Sequence, residues 1–176
     1  MLSKIDIHGK PALNSLQVTN MFKKRDSIEQ VEESDQLAPK FDENGLIVVT
    51  TIDQSTGEIL MVGYMDKEAL EKTIITKEAH YFSRSRNVLW HKGAKSGYTQ
   101  KVKEILIDDD QDALCLKVDI GDKGASCHVG YKSCFYRSIP LGNIENSEKI
   151  EMEFKETEKT FDPKKVYKDE PNPTKL

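Results

Sequence analysis

Cys127 and Cys134 close a short run that also holds His128, Gly130 and Ser133, and they are the pair of side chains best suited to hold a soft cation. If the run folds back at Gly130-Tyr131, with glycine at the first central position of a type II′ turn, Cys127 stands directly opposite Cys134 and His128 opposite Ser133. Opposed residues of an antiparallel pair keep their Cβ atoms about 4.5–5.5 Å apart, so two thiolates can share one zinc at roughly 2.3 Å each. That is half a site. Catalytic zinc takes three protein ligands and a water, and structural zinc takes four, so another segment must contribute. The alternatives are ordinary strand cysteines or a disulfide. Met1 to Lys10 carries charges where a secretory leader would be apolar, so a cytoplasmic, reducing setting and free thiols are expected. Cys115, within Ala113 to Val118, reads as a buried strand residue.

Upstream lies an acidic cluster, Asp108-Asp109-Asp110-Gln111-Asp112. On a straight strand Asp108, Asp110 and Asp112 share one face and Asp109 points to the other. Three like charges that close repel, and a hard divalent ion is the simplest way to neutralise them. Straight geometry would spread the trio over roughly 13 Å, so one ion requires a bend or bulge, or water and substrate oxygens as further ligands. The competing reading is a solvated acidic turn.

A third stretch, Tyr81 to Tyr98, is basic and aromatic. Arg84, Ser85, Arg86, Trp90, Lys92, Ser96 and Gly97 suit a phosphorylated ligand: arginine offers paired donors, and glycine lets backbone N–H groups approach. Taken alone it also reads as a polar hairpin turn with Trp90 in the core.

In this order the three stretches resemble the phosphoribosyl-AMP cyclohydrolase family of histidine biosynthesis, over about Asn44 to Arg137. The most specific matches are Ser83-Arg84-Ser85-Arg86 with Leu89-Trp90 and Lys92-Gly93, then Ser96-Gly97, the alternating aspartates, and Cys127-His128 leading to Ser133-Cys134-Phe135-Tyr136-Arg137. The resemblance implies a homodimer, magnesium on Asp108, Asp110 and Asp112, and zinc on Cys127 and Cys134 at the subunit interface. It further implies that Asp109 of the partner subunit supplies the third zinc ligand. The family normally has a cysteine there, so the chain departs from the pattern at Asp109; it departs again at Ala94, where a glutamate is expected. An aspartate oxygen binds zinc at about 2.0–2.2 Å, so a site of two thiolates and one carboxylate is chemically sound, though harder in character. Cys115 is no substitute, lying about 20 Å further along an extended strand.

The chemistry implied is hydrolysis of the N1–C6 bond of the substrate's adenine ring, with His128 as proton carrier and the basic residues with magnesium on the phosphates. Two readings without turnover compete: a zinc-stabilised nucleotide-binding module, and an RNA binder stacking bases on Trp90 and Tyr98. Charge argues against the latter, since 26 basic and 30 acidic residues leave a net −4. A nucleobase deaminase would need H-x-E and P-C-x-x-C signatures, which are absent.

The elements that must position these groups read as α+β, predominantly antiparallel sheet with one or two helices; in view of the resemblance the expected assembly is an interlocked homodimer. Leu46 to Ile52 and Glu58 to Met65 form a hairpin across Asp53 to Gly57. Asp66 caps a helix reaching about Thr76, with Ala69, Leu70, Thr73 and Ile74 as its buried stripe. Strands follow near His80 to Ser83, Val88 to His91, Thr99 to Ile107 and Ala113 to Val118. Residues 1–41 read as a partly ordered extension, 42–142 as the catalytic domain, and 143–176 as a charged extension with little fixed structure after Lys155. No apolar run is long enough to span a membrane.

Overall fold

The computed structural model describes residues 21–122, 124–142, 150–168, 172 and 174. Its frame is a four-stranded sheet of β1 (Ile47–Asp53), β2 (Ile59–Met65), β5 (Lys101–Ile107) and β6 (Ala113–Asp119), in the order β2-β1-β6-β5. Beside it lies a hairpin of β3 (His80–Ser83) and β4 (Val88–His91). Three helical segments are described: α1 (Ile28–Glu33), α2 (Lys67–Thr76) and α3 (Pro163–Tyr167). A small ribbon of β7 (Arg137–Ser138) and β8 (Glu153–Phe154) completes the elements. None of the described helices is long and apolar enough to cross a membrane.

The β1–β2 hairpin closes because Asp53 organises its turn. Its carboxylate accepts the Ser55 N–H at 2.8 Å and the Ser55 hydroxyl at 2.6 Å, while Gly57 takes φ +75°. Asp66 then caps α2 by accepting the Ala69 N–H at 2.8 Å, and Lys77 ends it in the left-handed region. Ala69, Leu70 and Thr73 are buried as their spacing requires, Ile74 packs partly buried against the core, and Glu71 is buried as well.

Antiparallel pairing dominates, with one exception that sequence alone does not announce. β6 runs parallel to β1, from Val48 beside Ala113 to Asp53 beside Val118. The whole of β2, α2, β3, β4 and β5 forms the crossover such a pair demands. The inward residues Ile47, Val49, Leu60, Met65, Leu70, Tyr81, Leu116 and Val118 make one core. Each large apolar member contributes roughly 1.5–3 kcal/mol by leaving water.

His80 enters the core edge with its ring stacked on His91, centroids 4.4 Å apart, and its Nδ1 2.8 Å from the Glu78 carbonyl. Burial holds its pKa below the ordinary 6.5. The folded protein therefore keeps this ring neutral at pH values where the unfolded chain protonates it. Stability from this source is complete above the unfolded value and declines as pH falls through the folded one. Thermal melts between about pH 7.5 and about pH 5.5 should show a falling Tm, and His80→Gln should flatten part of that fall. An unchanged slope in the variant would remove His80 as a cause.

Candidate active site

The acidic cluster forms the tip of the β5–β6 hairpin. The Asp108 N–H reaches the Ala113 carbonyl at 3.1 Å, the Gln111 N–H reaches the Asp108 carbonyl at 3.2 Å, and Gln111 adopts φ +59°. Asp108 Oδ1 accepts the N–H groups of Asp112 and Ala113, both at 2.9 Å. This is the bend that a single ion requires. Carboxylate oxygens of Asp108, Asp110 and Asp112 lie within 4.8 Å of one another, whereas Asp109 is exposed at the tip.

A segment outside the expected catalytic domain supports this loop. The Gln111 side chain is buried; its amide donates to the Val31 and Gln36 carbonyls at 2.9 and 3.1 Å and its oxygen accepts the Ala38 N–H at 2.7 Å. Arg25 donates to the Ala38 and Asp110 carbonyls, and Lys40 Nζ sits 3.2 Å from Asp110 and 3.0 Å from Asp112. Hydrogen bonding to Asp112 first, then to Asp110, raises the Lys40 pKa, and the same contact lowers that of Asp112. Residues 1–20 of the expected N-terminal extension lie outside the described residues.

The thiol run departs from the expected hairpin. Its turn spans Cys127 to Gly130, where the Gly130 N–H returns to the Cys127 carbonyl at 3.1 Å. The Cys127 N–H then pairs with the Tyr131 carbonyl at 3.2 Å, and Ser126 with Lys132 at 2.8 Å. Cys127 does not stand opposite Cys134, nor His128 opposite Ser133. The cause is competition for backbone groups. Glu156 accepts the N–H groups of Lys132 and Ser133 at 2.8 and 2.9 Å, and the Leu60 carbonyl takes that of Cys134 at 2.7 Å. The second arm is thereby drawn out of the ribbon and onto β2.

The sulfurs still meet. Cys134 lies within hydrogen-bonding range of Cys127 and, by donating to it, lowers the Cys127 pKa to about 7 against the opposing effect of burial. The same bond, above all, pushes the Cys134 thiol up. Both cysteines are free, as expected. Lys92, expected on the phosphate side, is buried and its charge acts on both thiols. Burial lowers its pKa, and the thiols oppose that shift.

His128 occupies the turn itself, so the alternation of a straight strand does not govern where it points. Its Nε2 is buried without a hydrogen-bond partner among the described residues. Burial lowers its pKa, against a hydrogen bond to the Asn172 side chain that raises it, and the charge of Lys92 lowers it further, so the ring is neutral near pH 7.

Four buried polar groups missed in the sequence hold the turn. Thr51 Oγ1 lies 2.7 Å from the Tyr81 hydroxyl, Tyr81 donates to Gln100 at 2.8 Å, and Gln100 donates to Ser126 at 2.9 Å. A buried chain of this kind is costly to leave incomplete, which fixes Ser126 and hence its neighbour Cys127. No periodicity signals Gln100, because its burial is set by the fold around it.

The basic stretch divides between two places. Arg84 stacks 3.9 Å above the Tyr64 ring, while Arg86 and Lys92 each lie 5.6 Å from the Trp90 centroid. Ser85 is exposed in the β3–β4 turn. Gly93 is obligatory at φ +85°, since a Cβ there would come 2.3 Å from the Thr99 nitrogen. It accepts the Gly97 N–H at 2.8 Å, and Ser96 Oγ accepts that of Tyr98 at 3.3 Å.

Within one chain the acidic tip and the thiols do not converge. Ala113, at the loop's exit, is level with Val48 at the start of β1; Leu60, which holds Cys134, follows Ile59, which pairs with Ile52 near its end. At about 3.3 Å per residue that is roughly 13 Å along the strand. Among the described residues the aspartate trio is the group of three or more His, Cys, Asp or Glu close enough for one ion, and the thiols gather no third ligand of their own chain.

Comparison with known proteins finds relatives over most of the chain. Residues 61–136 match the sequence model of the phosphoribosyl-AMP cyclohydrolase family. The chain is 50% identical over 139 residues to a protein of that name from Rhodopseudomonas palustris strain TIE-1, covering 79% of this chain and 89% of that one. With the namesake from Methanococcoides burtonii it shares 52% over 128 residues, covering 73% and 94%. With that of Bradyrhizobium sp. BTAi1 it shares 47% over 130 residues, covering 74% and 96%. The chain belongs to the phosphoribosyl-AMP cyclohydrolase family.

Proposed function

We propose that the chain is an enzyme of histidine biosynthesis that opens the adenine ring of phosphoribosyl-AMP by hydrolysing its N1–C6 bond, working in the cytoplasm as a metal-dependent homodimer. The observation that carries this reading is the pair of sulfurs, Cys127 and Cys134, held together beside Lys92 and His128 with one ligand too few in its own chain.

The residues fit zinc. Two adjacent sulfurs, one already acidic, form a soft half-site, and the exposed Asp109 at the hairpin tip is free to reach the thiols of a second copy. When bound there, zinc supplies a hydroxide near neutral pH by lowering the pKa of a coordinated water to about 7. Lys92 offsets the negative charge of the thiolates. His128, neutral and with a buried unpartnered nitrogen, takes a proton as water is activated and returns it to the ring nitrogen that leaves.

The aspartate trio fits magnesium by donor type and spacing. With an ion bound it would neutralise phosphate charge, and Arg84, Ser85, Arg86, Ser96 and Gly97 would contact the phosphates as well, with Trp90 against the ring. Lys40 occupies the cation position between Asp110 and Asp112 and would yield to the ion.

The test is optical: ring opening of phosphoribosyl-AMP by protein of known metal content. Wild type should turn over. His128→Ala should lower kcat by about 10²- to 10⁴-fold with KM altered far less. No turnover by the metal-loaded wild type ends the proposal, and an unchanged kcat in the variant removes His128 from the reaction.

A further inference from the structure

The segment after β8 was expected to be loosely structured, yet it is bound to the thiol turn at several points. Glu156 spends both carboxylate oxygens on the consecutive N–H groups of Lys132 and Ser133, at 2.8 and 2.9 Å. The Thr160 N–H donates to the Gly130 carbonyl at 2.7 Å. Gly130, at φ +104°, faces the Phe161 carbonyl so closely that a Cβ would lie 2.3 Å from it. Phe161 stacks on Tyr98 with centroids 4.8 Å apart and meets Tyr167 edge-on at 6.0 Å. One strap therefore touches the thiol turn on one side and the Ser96–Tyr98 loop on the other.

The Glu156 contacts are unusual in kind. A surface glutamate normally gains little from a single exposed partner, but here a charged acceptor serves two adjacent backbone donors, the stronger class of hydrogen bond. Without it, Lys132 and Ser133 would be available to continue the ribbon toward the register that spacing alone suggests. That register would lift the Cys134 N–H from the Leu60 carbonyl and reset the distance between the sulfurs.

We propose that Glu156 is a positioning residue for the metal site: by capturing the Lys132 and Ser133 N–H groups it sets the separation of Cys127 and Cys134, making the C-terminal strap a working wall of the site. The inference rests on the reading of these thiols as zinc ligands. Groups that orient metal ligands commonly cost 10- to 100-fold in metal affinity when changed, and glutamine at this position keeps one acceptor while turning a donor toward the second N–H.

Cobalt(II) is the probe, because thiolate-to-cobalt absorption reports sulfur ligation and the visible d–d bands report geometry. Wild-type protein, metal-free and then titrated, should show both. Glu156→Gln should bind cobalt about tenfold more weakly, with displaced d–d bands. Glu158→Gln removes the same charge from an exposed neighbour and should behave as wild type. If Glu156→Gln does not fold, Phe161→Ala loosens the strap without a charge change and should weaken cobalt binding in the same direction. A wild type without the thiolate band overturns the zinc reading and this inference with it. A wild-type band that Glu156→Gln, or Phe161→Ala in its place, reproduces in affinity and shape overturns the inference alone.

Discussion

Mixing Cys127→Ser chains with Asp109→Ala chains should restore about a quarter of wild-type turnover from two inactive parents. On the proposed intersubunit zinc site, each parent breaks both sites of its own dimer and should lose on the order of 10³-fold in kcat, since a metal-activated water is worth several kcal/mol. In a mixed dimer, one site joins the intact thiols of the Asp109→Ala chain to the intact Asp109 of the Cys127→Ser chain. The other site carries both lesions. Statistical exchange makes half the dimers mixed, each with one working site of two. The expectation follows from the sheet register, which puts the acidic tip and the Leu60-anchored Cys134 toward opposite ends of β1. Exchange is confirmed by separating tagged subunits, and activity is then assayed on phosphoribosyl-AMP. Proven mixed dimers that stay inactive would place the third ligand elsewhere.

The same register explains what could be read from the sequence. Local rules gave β1, β2 and α2 nearly to the residue, because alternation, the Asp53 turn and the Asp66 cap act over a few positions. The need for a bend to gather the carboxylates of the aspartate trio was legible as well. What escaped was decided by distant partners. The parallel pairing of β6 with β1 depends on a crossover and leaves no local mark. The thiol turn shifted register because Glu156, more than twenty positions downstream, takes two of its N–H groups. Gln100 and Gln111 look like surface residues until the fold encloses them, one between Tyr81 and Ser126, the other between Ala38 and Val31. In each case the side chain satisfies backbone or hydroxyl groups that would otherwise be buried without partners, a condition visible only after the chain has closed over them.

Replacing Asp109 by cysteine should raise zinc affinity by about tenfold or more, because a soft thiolate suits zinc better than a carboxylate oxygen. The side chain is exposed at the hairpin tip, so the substitution disturbs little within its own protomer. Three sulfurs also donate more charge to the ion than two sulfurs and an oxygen, which makes its bound water less acidic. The rising limb of the pH–rate profile should therefore move to higher pH in Asp109→Cys, while wild type retains activity to lower pH. Competition with a chromophoric chelator measures the affinity, and kcat/KM across pH measures the limb. Equal affinity in the two proteins would mean that residue 109 does not touch the ion, and the open position would then have to be filled by another side chain of the partner copy.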